Sequence, residues 1–303
     1  MPDTPLANEI ILGAAALGQQ YGIANSGKRV SPQETDAILT TAWSRGIVWI
    51  DTAPVYGDAE LRIGDWIRQT GNQFRAISKL PPMKSVPDAE IEVTMREYVN
   101  TTCRNMRLER LDGYLLHDAT DFAREPVRAS LALLKNEGRL GFVGVSFYDT
   151  TEASAALAIG EIDAMQIPIN LFDHRFKDSG IIYDSHRDGV RLFARSIFLQ
   201  GLLFCDPETL PSFFAPIIPR LRILHALAEE TSMGLAHLAI AYAMNVHENV
   251  ALVLGCYRAS ELSESCDIVE ADPPDRSILD RLAAIGHDIQ ESAIDPRQWP
   301  TSD

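Results

Sequence analysis

Four side chains that can move or bind protons lie near the ends of apolar segments in the first half of the chain. Asp51 and Tyr56 stand five residues apart in IDTAPVYGDAE, and Lys79 and His117 lie at the ends of FRAISKL and LDGYLLH. A free phenol has a pKa of about 10, and a neighbouring ammonium lowers it by stabilising phenolate. We expect Lys79 to lower the pKa of Tyr56 in this way, with Asp51 as the counter-charge of Lys79.

The chemistry expected of this set is proton donation to a carbonyl oxygen. Tyr56 would give the proton, and His117 would hydrogen-bond and orient the same oxygen while a nucleophile attacks the carbonyl carbon. Taken alone, each residue has a simpler explanation, such as a turn cap for Asp51 or a hydrogen-bonded core histidine for His117. The convergence of all four favours the catalytic explanation.

Eight short apolar segments predict strands that are buried on both faces of a parallel sheet. Helical patterns separate most of them, and no linker rich in Gly, Ser or Pro divides the chain. Barrel enzymes place their active residues at the carboxyl ends of several strands, which is where the four side chains lie. The predicted strands are 10–17, 48–53, 74–80, 111–117, 142–147, 164–170, 190–198 and 250–256.

The predicted helices complete the pattern of a barrel. Ser31-Pro32-Gln33-Glu34 is typical of a capping box with proline at the first helical position, and 277–291 predicts an extra C-terminal helix. A doubly wound open sheet would place Gly-x-Gly-x-x-Gly after its first strand, and ILGAAALGQQYG does not contain that motif. We therefore expect one domain over 1–303, a (β/α)8 TIM barrel with an extra C-terminal helix. The other predicted helices include 59–69, 88–106, 151–159, 217–231 and 259–270.

Composition and charge limit the partners. Apolar residues make up 46% and charged residues 23% of the 303 residues, as in ordinary globular chains. The formal net charge of −15 argues against nucleic acid and against an anionic membrane as general partners. The opening sequence MPDTPLANEI lacks a basic leader region, and the apolar run 10–17 is too short to span a membrane, so we expect an unprocessed cytoplasmic protein.

Cysteine and histidine spacing predicts no metal centre. The cysteines form no Cys-x-x-Cys pair and have no histidine at ligand spacing, which favours reduced, buried thiols. A metal-dependent barrel hydrolase would need His-x-His after the first strand, whereas the seven histidines are dispersed. The cysteines are Cys103, Cys205, Cys256 and Cys266.

The stretch DTAPVYGDAELRIG resembles the signature Asp-Thr-Ala-x-x-Tyr-Gly-x-(Ser/Ala)-Glu of the aldo-keto reductase family. Later segments resemble further motifs of that family in the same order. The resemblance implies a barrel that transfers hydride between a nicotinamide cofactor and an aldehyde or ketone, in either direction. It also implies a catalytic tetrad of Asp51, Tyr56, Lys79 and His117, with Tyr56 as the general acid and base. The later segments are AISKL, YLLHDA, GRLGFVGVS, RSIFLQGLL and LVLGCYRASELSES.

The same resemblance implies a cofactor site along the later strands. Ser146 and Gln166 would bind the nicotinamide amide, and Arg195 takes the place of the family's aromatic residue that stacks on nicotinamide. The segments 196–201 and 255–258 would hold the pyrophosphate and the adenosine end. The implied cofactor-binding residues are Ser146, Gln166, Arg195, Ser196, Gly201, Gly255, Arg258 and Glu264.

We expect NADP(H) as the cofactor, with NAD(H) as the alternative. Family members that prefer NADP(H) often carry an arginine at the place of Glu261, and a glutamate there would repel the 2′-phosphate of NADP(H). Arg258, beside the positive N-terminal end of the following helix, is expected to bind that phosphate instead.

The expected substrate is a small aldehyde, ketone or sugar that lies over Tyr56 and His117. Loops after the first, second and fourth strands would surround it, and their mixed polarity fits a hydroxylated aldehyde or sugar as well as an aromatic aldehyde. A second hypothesis is a nicotinamide-binding regulatory or redox-sensing barrel without significant turnover, against which the complete tetrad argues. The substrate-binding residues expected are Tyr21, Val55 and Asp118, with Gln19, Gln20 and Trp299 as further candidates.

Overall fold

A computed structural model of the chain describes residues 9–24, 29–287 and 289–300. Within these residues, eight parallel strands form a closed barrel in chain order, and β8 pairs back onto β1. This confirms the predicted (β/α)8 barrel. The strands are β1 (Ile10–Gly13), β2 (Trp49–Asp51), β3 (Arg75–Leu80), β4 (Leu111–Leu116), β5 (Leu140–Ser146), β6 (Ala164–Pro168), β7 (Arg191–Arg195) and β8 (Val250–Gly255).

Helices follow the strands around the barrel. The extra C-terminal helix predicted over 277–291 is confirmed as α12, although it ends earlier. The helices are α1 (Ala15–Gly18), α2 (Pro32–Ser44), α3 (Ala59–Thr70), α4 (Ile91–Met106), α5 (Glu125–Asn136), α6 (Thr150–Ile159), α7 (Arg175–Asp178), α8 (Ile181–Arg187), α9 (Ile218–Thr231), α10 (Leu235–Val246), α11 (Ala259–Glu270), α12 (Arg276–Ile285) and α13 (Glu291–Ile294). Across the three described ranges, none of the helices is long and apolar enough to cross a membrane.

Two predicted strands extended three or more residues beyond the carboxyl end of the observed strand. The segment predicted as a strand over 10–17 turns into α1 after Gly13, because its alanines favour helix. The predicted strand 190–198 ends at Arg195, since Ser196 adopts a left-handed φ of 58° that no strand accommodates. The chain start expected to be unprocessed falls partly on residues 1–8, which lie outside the described residues.

Helices α7, α8, α10 and α13 were not predicted. In α10, six consecutive residues, 238–243, are all buried, so the helix shows no alternation between an apolar and a polar face. The helices α7 and α8 are only four and seven residues long, and Gly180 separates them. Short or uniformly apolar helices lack the 3.6-residue period on which the prediction depended.

Apolar side chains fill the inside of the barrel as a separate core from the one between strands and helices. Successive side chains on a strand point to opposite faces, so each strand contributes to both cores. The inner core fills the part of the barrel interior nearer the amino-terminal ends of the strands. The carboxyl ends of the strands are left for other side chains. The members of the inner core are Ile11, Trp49, Ile77, Leu115, Phe142, Ala164, Phe193 and Ala251.

Candidate active site

Five of the predicted functional side chains lie two residues beyond a member of the inner core, either on the same strand or directly after it. Because side chains alternate along a strand, this spacing points them into the barrel, just above the apolar floor. The predicted convergence therefore follows from strand geometry. The pairs are Trp49 and Asp51, Ile77 and Lys79, Leu115 and His117, Ala164 and Gln166, and Phe193 and Arg195.

Lys79 and Asp51 form a buried ion pair. The Nζ atom of Lys79 lies 2.8 and 2.6 Å from the two carboxylate oxygens of Asp51, and the two side chains are 1% and 5% exposed. Lys79 also donates to the carbonyl oxygen of Thr52 at 3.2 Å, and the Gln166 amide donates to Asp51 at 2.8 Å. The predicted pairing of Lys79 with Asp51 is confirmed, and the contact from Gln166 was not foreseen.

Tyr56 reaches this pair from the turn between β2 and α3. The turn is closed by a hydrogen bond from Tyr56 N–H to the Ala53 carbonyl at 3.0 Å and by Gly57 in a left-handed conformation with φ of 62°. The Tyr56 ring centroid lies 5.1 Å from Lys79 Nζ and 6.2 Å from the His117 ring, which stands edge-on to it. The phenol, the ammonium and the imidazole therefore meet at one point.

The pKa of Tyr56 is raised, opposite to the lowered value expected from the sequence. Burial is the main cause, because it disfavours phenolate, and the negative charge of Asp51 adds to it. Asp51 lies directly on Lys79 and offsets the ammonium's charge, while Arg195 is a cation that acts to lower the pKa of Tyr56. The expectation of an acidified phenol is therefore wrong, and Tyr56 keeps its proton at neutral pH.

His117 is a neutral imidazole at physiological pH. Burial, followed by the positive charge of Lys79, lowers its pKa to about 4. A neutral imidazole carries one N–H, so it can donate one hydrogen bond to a ligand oxygen.

A cavity of about 640 Å³ connects the tetrad with the N-terminal end of α11, within the usual size range of ligand pockets. Its wall includes most of the residues predicted to act in catalysis or to bind cofactor. The predicted residues that line it are Tyr21, Asp51, Tyr56, Lys79, His117, Ser146, Gln166, Arg195, Ser196, Gly201, Gly255 and Glu264.

Other predicted residues lie outside the cavity wall. Val55 is 47% exposed, and the Asp118 carboxylate caps a turn by accepting the Thr120 N–H at 3.0 Å. Arg258 has an exposed side chain at the start of α11. Trp299 packs against Phe214 instead of a ligand space. Gln19 and Gln20 also lie outside the wall.

A stack of three side chains lies at the candidate catalytic end of the cavity, the end that holds Tyr56, and was not predicted from the sequence. The guanidinium carbons of Arg195 and Arg297 each lie 3.7 Å from the Tyr148 ring centroid, so the two cations must occupy opposite faces of the ring. Asp295, which is fully buried, binds Arg297 at 2.6 Å. The loop after β5, strand β7 and the C-terminal segment each contribute one residue, and their separation along the chain gave no sequence signal.

The far end of the cavity is acidic. The Glu261 carboxylate accepts the Tyr257 N–H at 2.9 Å, and the Glu34 carboxylate accepts the Ala259 N–H at 2.7 Å. The capping box predicted around Glu34 is half confirmed, since Ser31 Oγ accepts the Glu34 N–H at 3.1 Å while the Glu34 carboxylate reaches α11 instead. Carboxylates therefore bind N–H groups at a helix end that would otherwise attract an anion.

Two chain segments that line the cavity contact each other. Ile23 N–H donates to the Gln200 carbonyl at 3.0 Å, and the Tyr257 hydroxyl donates to the carbonyl of Tyr21. Leu199 and Gln200 adopt left-handed φ values of 45° and 51°, which are unfavourable for side chains of this kind and cluster at functional sites. Residues 21–24 after β1 and residues 199–201 after β7 therefore contact each other at the cavity wall.

Comparison with known proteins identifies the family. The model of the aldo/keto reductase family matches residues 9–285. Aldo-keto reductase str7 of Strobilurus tenacellus is 26% identical over 249 residues, 75% of this chain and 70% of that protein. Two solved structures share the fold. Glycerol dehydrogenase AKR11B4 of Gluconobacter oxydans has a TM-score of 0.73 and 20% identity, over 97% of this chain and 96% of that one. A Klebsiella pneumoniae aldo/keto reductase in complex with NADP and acetate has a TM-score of 0.70 and 19% identity, over 91% of this chain and 90% of that one. The chain belongs to the aldo/keto reductase family and is an NAD(P)-dependent oxidoreductase of carbonyl compounds.

Proposed function

We propose that the protein reduces a small aldehyde, ketone or sugar, with Tyr56 as the proton donor and His117 as the group that orients the carbonyl. The meeting of Tyr56, His117 and the Lys79–Asp51 pair at one end of the cavity carries this proposal. A regulatory barrel without turnover would not require a proton donor beside a neutral hydrogen-bond donor.

The protonation states favour the direction of reduction. Tyr56 holds its proton at neutral pH because its pKa is raised by burial, and it can pass that proton to the substrate oxygen as the carbonyl π bond breaks. His117, neutral because its pKa is near 4, donates its N–H to the same oxygen. Arg195 stabilises the negative charge that then develops on Tyr56.

The cavity fits a nicotinamide cofactor, which when bound supplies the hydride. Arg195 Nε is buried in the cavity wall without a hydrogen-bond partner among the described residues, so the wall carries a donor that a ligand can satisfy. Arg195 also presents a planar guanidinium, and Ser146 and Gln166 line the same end. These three residues would hold the nicotinamide.

We propose NADP(H) as the cofactor, as in the Klebsiella pneumoniae relative solved with NADP. NAD(H) is the second candidate, because Glu261 and Glu264 line the adenosine end and would repel a 2′-phosphate. The phosphate-binding role predicted for Arg258 would require its exposed side chain to turn into the cavity.

A screen of aldehydes, ketones and sugars with NADPH and with NADH tests the function, by following the loss of reduced-nicotinamide absorbance. We expect turnover of at least one carbonyl class, with higher kcat/KM for NADPH. Higher kcat/KM with NADH would overturn the cofactor proposal alone. Tight NADPH binding without turnover across the panel would favour the regulatory alternative.

We further propose a single domain over residues 1–303 in a reducing compartment, the cytoplasm. The barrel closes within one continuous run of strands, which supports the first part. The four cysteines are free thiols and three of them are buried, which supports the second. Mass spectrometry of thiol alkylation without reductant tests the proposed reducing compartment. Four alkylated cysteines are expected in protein taken directly from cells.

A further inference from the structure

A cluster of two histidines and one aspartate lies away from the cavity, between the loop after β6 and the end of α12. The side chains of His174, Asp178 and His287 each place a ligand atom within 4.8 Å of the others. His174 and Asp178 are one helical turn apart, at the two ends of α7, so their side chains lie on the same face. The fold brings His287 to them from a distant part of the chain.

The buried ring of His174 lacks hydrogen-bond partners in the described part of the chain. Its side chain is 5% exposed, and neither ring nitrogen has a hydrogen-bond partner among the described residues. The Leu171 carbonyl lies near the ring without forming a hydrogen bond of ordinary geometry. A buried polar group without a partner is destabilising, so an unsatisfied imidazole beside a second imidazole and a carboxylate needs an explanation.

The ring of His174 is fixed in place by its neighbours. It stacks on Tyr242 of α10 at 5.5 Å with an interplanar angle of 15°, and the His287 ring stands edge-on to it at 5.1 Å. These contacts hold the buried imidazole in one orientation beside His287.

A second histidine pair in the same protein shows what satisfied rings look like. His186 and His247 lie 5.0 Å apart, close to the separation of His174 and His287. In that pair, Asn249 contacts Nδ1 of both rings, through its side-chain amide at 2.8 Å and its backbone N–H at 3.1 Å. Two neighbouring histidines therefore occur in both places. Of the two, only the cluster of His174 and His287 combines unsatisfied ring nitrogens with a nearby carboxylate, that of Asp178.

We propose that His174, Asp178 and His287 form a binding site for one divalent transition-metal ion of the zinc type. Two imidazoles and one carboxylate are a ligand set that suits Zn²⁺, with a water molecule as the fourth ligand. A tetrahedral zinc ion needs ligand atoms roughly 3.3 Å apart. Asp178 and His287 are exposed and can rotate inward to reach that spacing around the fixed His174. No metal centre was predicted from the sequence, and His287 is remote in sequence from His174 and Asp178.

Metal binding would tie the C-terminal segment to the barrel. Arg175, next to His174, already pairs with Glu291 at the start of α13, so the two segments have one ionic link. The same C-terminal segment carries Arg297 onto Tyr148 at the mouth of the cavity. The proposed ion would add a second link where this segment leaves α12.

Metal binding can be tested on untagged, chelator-treated protein in the absence of cofactor and substrate. We expect calorimetry to show one Zn²⁺ per chain, and Co²⁺ to give the visible absorption of a tetrahedral site. The variants His287→Ala and Asp178→Asn change exposed side chains and should fold. Since loss of groups that merely support a ligand already costs about 10–100-fold in affinity, each should weaken Zn²⁺ binding at least tenfold.

The double variant His186→Ala/His247→Ala is the matched control, because it removes the other histidine pair. It should bind Zn²⁺ with unchanged affinity. The proposal is overturned if wild type binds no Zn²⁺ or Co²⁺, if His287→Ala and Asp178→Asn bind as tightly as wild type, or if the control variant abolishes binding.

Discussion

The two ends of the cavity differ in how their charges are arranged. At the catalytic end, the Lys79–Asp51 pair is neutral as a unit, His117 and Tyr56 are uncharged, and Arg195 leaves a net positive charge. At the other end, the carboxylates of Glu34 and Glu261 bind the N–H groups before and at the start of α11, and Glu264 adds a third. The net positive charge at the catalytic end would stabilise a negative charge that develops during the reaction. The carboxylates at the other end would repel a permanent anion such as a phosphate.

The largest effect is expected from breaking the buried ion pair at the catalytic end. Lys79→Met would leave the Asp51 carboxylate buried without its counter-charge, which costs about 3–5 kcal/mol of unfolding free energy. Lys135→Met is the matched control, because Lys135 lies 2.6 Å from Asp163 but both side chains are more than one-third exposed. Its cost should stay under about 1 kcal/mol. Urea denaturation of both variants measures the difference, and equal losses would contradict the importance of burial.

The next largest effect concerns His117 as the neutral donor. His117→Leu should lower kcat/KM by about 10²-fold, as expected for loss of one donor to a developing oxyanion. The histidine's folded pKa, near 4, lies below its ordinary value, so its contribution to stability is present above about pH 6.5 and is lost as the pH falls through 4. Thermal unfolding between pH 4 and 7 should accordingly be less pH-dependent in His117→Leu than in wild type. An identical pH dependence in the two proteins would refute the lowered pKa.

An intermediate effect is expected at the acidic end. Glu261→Gln keeps an acceptor for the Tyr257 N–H but removes the charge, so the ratio of NADPH to NADH affinity should rise about tenfold, or about 1.4 kcal/mol. Glu270→Gln, at the other end of the same helix, serves as the control and should leave the ratio unchanged. Fluorescence titration with both cofactors measures it. A ratio that does not move in Glu261→Gln would show that this carboxylate does not face the adenosine.

The smallest effect is expected from the stack that flanks the catalytic end. Tyr148→Ala removes two cation–π contacts and should lower the free energy of unfolding by about 1 kcal/mol. Tyr183→Ala removes a tyrosine that is 67% exposed and should change it by less than about 0.5 kcal/mol. Equal free energies of unfolding in the two variants would mean that the cation–π contacts of the stack do not stabilise the fold.

The sequence predicted the strand-borne part of the site because period-two alternation fixes where Asp51, Lys79 and Gln166 must point. It did not predict the pKa of Tyr56, because the balance between burial and the charges of Asp51 and Lys79 depends on distances in three dimensions. It also missed contacts between remote segments, such as Tyr148 with Arg297. The roles predicted for Val55, Asp118 and Arg258 depended on loop conformations, which neither spacing nor periodicity specifies.

The proposed role of Tyr56 is tested most directly by single-turnover hydride transfer in Tyr56→Phe, which removes only the hydroxyl. With the proton donor lost, we predict a transfer rate lower by about 10²–10⁴-fold, at an NADPH dissociation constant within about twofold of wild type. A transfer rate equal to that of wild type would show that the proton comes from another group.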